Sequence, residues 1–250
     1  MKKLYPLILV SCIFALTGEN LVTQMDEKLN PENSTSNMNM LLTNKNGKTR
    51  TSIIHSIIKD NGEKQITWFL SPPDDKGIAF LKIEHENKKD EMKIWLPAFK
   101  KVKRISTRKR SDSFMGSDIS YEDMSNRKKK EYDFNIIGQE SLNGSICHVL
   151  KSIPKEHIQS EYSHHHTWVD TSLLIPLKEK SYDKNGNLLK EKQFSYVKIN
   201  TYQILNQIQV KNIQKNHSTQ LTFDNIMLNL DIKDEIFHER YLKHLPKLKD

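Results

Sequence analysis

The sequence predicts a mainly β (α+β) fold: one large antiparallel sheet that curls on itself, with a few short helices. Three observations predict it. Roughly a dozen short segments rich in Ile, Thr, Val and aromatic residues recur between turn residues, at about the 8–12-residue spacing of all-β folds. Asn46-Gly47, Asp60-Asn61-Gly62, Asn143-Gly144 and Asn185-Gly186 separate such segments. Asn and Gly tolerate the positive φ that tight hairpin turns require. No long helical pattern alternates with the strands, which argues against a parallel α/β sheet.

The elements follow in order. Leu21, Met25 and Leu29 share one helical face, so residues 19–30 read as a first helix ended by Pro31. Strands are expected at 38–42, 49–58, 65–70, 78–85, 92–97 and 101–106, with Pro72-Pro73 closing the third. Ser120 and Asp123 match a capping pattern before a short helix at 121–127. Strands resume at 132–137, 145–153, 162–170, 175–182, 188–197, 203–210 and 220–227, and a short helix closes the chain within 231–242. No repeat and no linker follows residue 37, so a single domain over residues 19–250 is expected.

Residues 1–18 read as an export signal. Lys2 and Lys3 precede an apolar stretch at 4–16, and Ala15, Thr17 and Gly18 offer small residues for cleavage. The stretch is too short for a confident membrane span. An alternative is a lipobox at Leu9-Val10-Ser11-Cys12, which would make Cys12 a lipidated N-terminus. With residues 1–18 removed as a signal, Cys147 is alone in the mature chain, forms no internal disulfide, and reads as a small buried filler.

The formal net charge is +8 at pH 7, and it is concentrated. Residues 100–130 hold eleven Lys or Arg against four Asp or Glu. Seven of the bases form one run: Lys100, Lys101, Lys103, Arg104, Arg108, Lys109 and Arg110. The plain reading is a solvated strand and loop. The functional reading is a patch that docks on an anionic membrane surface or an acidic partner. Export argues against nucleic acid. The carboxylates that follow (Asp118, Glu122, Asp123) are expected to pair with these bases within the segment.

No motif supplies catalysis. G-x-S-x-G, P-loop, H-E-x-x-H and paired-cysteine patterns are absent from the sequence, so no catalytic residue, cofactor or metal is expected. His164 and His166 would share a strand face, but no Cys/His spacing supports a metal site. Most large aromatic residues sit on predicted strands, where core packing is their ordinary role. A curled sheet can also enclose an apolar cavity. Trp68, Phe80, Trp95, Phe99, Phe114, Met115, Tyr121 and Trp168 are the candidates to line it. Met38, Met40, Met115 and Met124 suit such a cavity because thioether side chains repack easily.

The order W-L-P-A-F-K-K-V-K-R-I (95–105), then S-F-M-G-S-D-I-S-Y-E-D-M (113–124), resembles the LolA-like outer-membrane lipoprotein-sorting family, in the branch often found with RND-type exporters. Pro73-x-x-x-Gly77, Gly138, Gly144, Trp168-Val169-Asp170 and Tyr182-Asp183-x-x-Gly186 extend the match over about residues 66–190. The resemblance implies a periplasmic, non-enzymatic protein with a half-open antiparallel β-barrel capped by helices. Its apolar interior would shelter the acyl chains of lipids or lipid-modified proteins. The alternative it leaves open is a lipid-sensing or accessory subunit docked on an inner-membrane RND-type exporter. It places Phe114, Met115, Gly116 and Tyr121 at the cavity rim. Gly116 would permit a tight bend, and Arg104 would pair with Asp118 to hold the loop to the sheet.

Overall fold

The computed structural model describes residues 16–246. A helix, α1 (Gly18–Asp26), precedes thirteen strands. The first six are β1 (Asn33–Thr43), β2 (Thr49–Lys59), β3 (Lys64–Ser71), β4 (Ala79–Ile83), β5 (Glu91–Leu96) and β6 (Lys101–Arg104). The rest are β7 (Tyr132–Leu142), β8 (Ser145–Pro154), β9 (Tyr162–Asp170), β10 (Pro176–Asp183), β11 (Leu188–Ile199), β12 (Tyr202–Asn212) and β13 (His217–Leu228). All belong to one antiparallel sheet in the order β6-β5-β4-β3-β2-β1-β13-β12-β11-β10-β9-β8-β7.

Hairpin chemistry builds most of this order. At the β7–β8 turn, Asn143 (φ 51) and Gly144 (φ 87) are both left-handed, as a two-residue hairpin matching the strand twist requires. The one long-range pairing is β1 with β13, which sets Met40 opposite Leu221. That pairing leaves β6 and β7, neighbours in the chain, as the two edges of the sheet. The edges do not pair, so the barrel is half open. Lysines and an arginine on β6 (Lys101, Lys103, Arg104) are exposed. Charges on an edge strand discourage pairing with another chain, which gives part of the basic run a plain structural role.

Side chains alternate between a concave and a convex face. The concave face of β1–β5 and β13 carries Met38, Met40, Ile54, Phe69, Phe80 and Leu221, packed under residues 105–131. The convex face of β3–β5 carries Trp68, Leu81 and Trp95 under the C-terminal segment, where Ile232, Phe237 and Leu242 cover them. Trp68 Nε1 donates to the Tyr241 carbonyl at 3.0 Å. At the other end, α1 lays Leu21 and Val22 on Phe134, Leu150 and Val169.

Three elements differ from expectation. Residues 121–127 form turns, because Ser120 and Asp123 bond each other while Asp123 is drawn to lysines of β11. The closing helix is two 3-10 turns, Asp234–Ile236 and Glu239–Lys243, shaped to the convex face. The first helix stops at Asp26 rather than residue 30. Its start includes residues expected in the leader: Thr17 Oγ1 caps Asn20 N–H at 3.1 Å, and Gly18 is buried. Cys12 lies outside the described residues.

Gly18 sits on the backbone of β7. A Cβ there would lie 2.3 Å from the Phe134 carbonyl oxygen, and backbone cannot step aside as a flexible side chain can. Gly18→Ala is expected to lift α1 from β7 and destabilise the protein by about 1–3 kcal/mol. Faster amide exchange in residues 18–26, with exchange in β1 unchanged, checks this.

Candidate functional site

Residues 105–131 connect the two edges of the sheet by crossing its concave face as an internal strap. Its tip is a tight reversal. Met115 (φ 50) and Gly116 (φ 81) are both left-handed, and Phe114 N–H donates to the Ile119 carbonyl at 2.8 Å. The reversal drives Phe114 into the sheet, with ring centroids 5.4 Å from Phe80, 5.8 Å from Tyr121 and 6.0 Å from Phe69.

Polar side chains then pin the strap to five strands. On β13, Thr219 Oγ1 donates to Asp118 Oδ2 at 2.8 Å and His217 Nδ1 lies 2.7 Å from the same oxygen. On β4, buried Lys82 Nζ donates to Glu84 Oε1 and to the Met124 carbonyl, each at 2.7 Å, and burial lowers the lysine's pKa. On β10, Glu179 pairs with Arg127 at 2.6 Å. On β11, Lys190 and Lys192 both pair with Asp123, and on β9 Tyr162 Oη donates to that carboxylate at 2.9 Å. Lys192 also reaches Glu179 at 3.0 Å, so the last two clamps form one buried network.

Charge balance inside the network is set by neighbours. Burial alone would raise the Asp123 carboxyl, but the Lys192 and Lys190 ammonium groups outweigh it and hold it well below the usual carboxylate range. Burial is likewise outweighed at Glu179 by Arg127 and Lys192. His165, 1% exposed, faces Arg127, Glu179, Lys192, Asp123 and Ser181. Burial, reinforced by Arg127, pushes its pKa well down and keeps the ring neutral.

The strap does not fill the concave face. One cavity of about 380 Å³ lies between α1, the strap and β7–β12, where Val22, Phe134 and Phe194 face Arg127, Glu179 and Lys192. A second, of about 440 Å³, opens beside the end of α1 and is walled by Leu174, Tyr196, Ile204, Leu205, Phe223 and Ile226. Met25, Asp26 and Pro176 line both.

The structure sorts the sequence candidates by face. Phe80, Phe114, Met115 and Tyr121 belong to the concave side. Phe114 (4% exposed) and Tyr121 (6%) are core plugs rather than rim residues, because the strap turns inward at Gly116. Trp68, Trp95 and Trp168 face the convex side, contrary to the expectation that they line the cavity. Phe99 lies on the surface, 73% exposed. Lys100, Lys101, Lys103, Arg104, Arg108 and Lys109 are exposed. Arg110 is not part of that free patch, since it folds back to Ser125 Oγ at 2.6 Å and toward Asp90 at 3.5 Å. Asp118 binds β13, not Arg104, and Asp123 pairs with β11 rather than within its own segment. His164 and His166 sit on the convex face against Tyr182.

Sequence reasoning missed Lys190, Lys192, Glu179, Arg127 and His165. A signal was present: Lys190 and Lys192 share a strand parity with Phe194 and Tyr196, so two lysines stand on an apolar-facing stripe.

A half-open antiparallel barrel with an internal strap and an apolar interior defines the LolA-type class of fold. A family model described as an uncharacterized protein matches residues 61–244. A crystal structure from Vibrio parahaemolyticus, provisionally named an outer membrane lipoprotein-sorting protein domain, is 31% identical with TM-score 0.85, covering 91% of this chain and 98% of that one. A DUF1329 family protein from Desulfovibrio piger is 29% identical with TM-score 0.83, covering 90% and 97%. A LolA superfamily protein from Nitrosomonas europaea shares the fold at 18% identity and TM-score 0.72, covering 91% and 100%. The search of curated proteins gives no match. The chain belongs to the same outer-membrane lipoprotein-sorting family as the Vibrio protein, and it has the LolA-type fold.

Two predictions follow from the clamps. Asp123→Asn leaves two buried lysines without their shared carboxylate and is expected to cost about 3–5 kcal/mol at pH 7. Because the native carboxyl pKa is depressed, that stability is complete above the usual carboxylate range and is lost as pH falls below it. Urea unfolding should therefore show the gap between wild type and variant shrinking below about pH 4. His165 is also depressed, so the native state loses stability as pH falls below the ordinary histidine range, at up to about 1.4 kcal/mol per pH unit. In His165→Gln, unfolding between pH 7 and pH 5 should be flatter by that slope.

Proposed function

We propose that this protein is a periplasmic, non-enzymatic carrier that shelters acyl chains of lipids or lipid-modified proteins inside the half-open barrel. The observation that carries this reading is the pair of adjoining cavities at α1, largely apolar in their exposed walls, on the concave face of a fold whose relative is named for lipoprotein sorting. Each lies in the volume range of small-molecule sites. Burying about a dozen methylenes there would gain roughly 10 kcal/mol, enough to hold a chain that water rejects.

The strap supplies the means of release. Phe114 occupies the concave face from within, as an acyl group would, so cargo entering further than the two cavities competes with it. The clamps are polar and specific to one placement of the strap. A displaced strap must leave charges unpaired, which favours its return once cargo departs. The exposed basic loop with Phe99 favours a second role, docking on an anionic membrane or an inner-membrane RND-type exporter as an accessory subunit.

Leu205→Trp fills the cavity beside α1. It is expected to weaken binding of a neutral fluorescent acyl probe at least tenfold while leaving the melting temperature within a few degrees. Unchanged affinity would place the acyl site elsewhere. A carrier moves radiolabelled lipoprotein between donor and acceptor vesicles, whereas an accessory subunit binds without transfer.

A further inference from the structure

A third cavity lies outside the strap, in the open seam of the barrel. It holds about 690 Å³, between the β4–β5 turn, the start of the strap after β6, and the 157–159 turn after β8. Its walls carry Lys88, Lys89, Arg104, Arg110 and His157, against two carboxylates, Asp90 and Glu131. Asp90 is already engaged by Lys128 at 2.8 Å and by the His85 N–H at 3.0 Å. Lys89 and Arg104 make no ion pair among the described residues, and the buried Nε of Arg110 has no hydrogen-bond partner. The cleft is therefore short of anionic acceptors. Met92 and Ile105 also line it, and both pack in the concave-face core.

We propose that this seam cleft binds an oxyanion, the phosphate of a lipid headgroup, while the lipid's chains lie in the barrel. This rests on the carrier reading and names the cargo class more closely: an anionic phospholipid or a conjugate carrying one. Arg104 and Lys89 supply mobile charge at the rim. Arg110 supplies a guanidinium held by Asp90 and Ser125, the planar donor set suited to phosphate oxygens. Arg110 also links the two compartments. It lines the cleft, and its bond to Ser125 reaches a wall of the inner cavity, so one strap separates headgroup from chain.

The test compares dioctanoyl phosphatidylglycerol, neutral dioctanoylglycerol and inorganic phosphate by calorimetry on the full folded chain. Wild type should bind the phosphatidylglycerol at least tenfold more tightly than the diacylglycerol. Lys89→Gln with Arg104→Gln, both exposed positions, should abolish that preference and leave diacylglycerol binding unchanged. Lys45→Gln with Lys48→Gln removes equal charge from a distant turn and should retain it. Competition by inorganic phosphate supports an oxyanion subsite that free phosphate can also fill. Absence of competition, with the preference still lost in the cleft variant, supports a site specific to the lipid-borne group. Equal wild-type affinity for the two lipids, or equal loss in both double variants, overturns the inference and leaves the acyl cavity standing. If neither lipid binds, the carrier reading fails, and failure of inorganic phosphate to bind on its own then overturns the cleft as well.

Discussion

Asp123, buried between Lys190 and Lys192, is the contact on which the interior depends. It belongs to the strap, while both lysines belong to β11, so one carboxylate joins the segment that crosses the barrel to the sheet it crosses. In a low-dielectric interior none of the three charges is tolerable alone. Their mutual satisfaction fixes where the strap lies. That placement drives Phe114 into the aromatic cluster, orients Arg127 toward Glu179, and leaves the space of the cavity between α1, the strap and the sheet. A hydrophobic seal would hold the strap as firmly but with less choice of register, since apolar contact is not directional.

The sheet works with both faces covered, in different ways. On the convex side the C-terminal segment is pressed onto Trp68 and Trp95 by apolar packing. On the concave side the strap is held by paired charges and hydrogen bonds at a few points, with methionine-rich packing between them. Met38, Met40, Met92, Met115 and Met124 all gather there. Thioether side chains adapt to changing neighbours, so this surface can accept either the strap or another apolar chain. The covering that exchanges is the one built from adaptable side chains and local clamps.

The open seam results from topology. Pairing β1 with β13 closes the meander at its middle and strands β6 and β7 as edges. The basic residues that dominate the sequence gather at this seam. Some protect the β6 edge, Arg110 braces the strap, and the remainder face solvent or the cleft. A single run in the sequence thus divides into three physical roles that its composition cannot separate.

Local chemistry in the sequence determined the strands, the hairpin turns, the antiparallel class and the existence of an unusual segment at 95–124. Period-two alternation and Asn-Gly turns are short-range effects, legible without neighbours. The resemblance carried by residues 95–105 and 113–124 also led to the half-open barrel that the structure has. Tertiary structure alone decided which face each strand turned inward. That single parity sent Trp68, Trp95 and Trp168 outside and brought Lys190 and Lys192 inside. It also decided the strap: Ser120 and Asp123 read locally as a helix cap, yet the turn persists because Asp123 gains more from two lysines some seventy residues away. Propensity describes what a segment prefers in water. A buried charge obeys the partners it meets on folding, and those are set by the sheet's closure, which no local stretch of the sequence records.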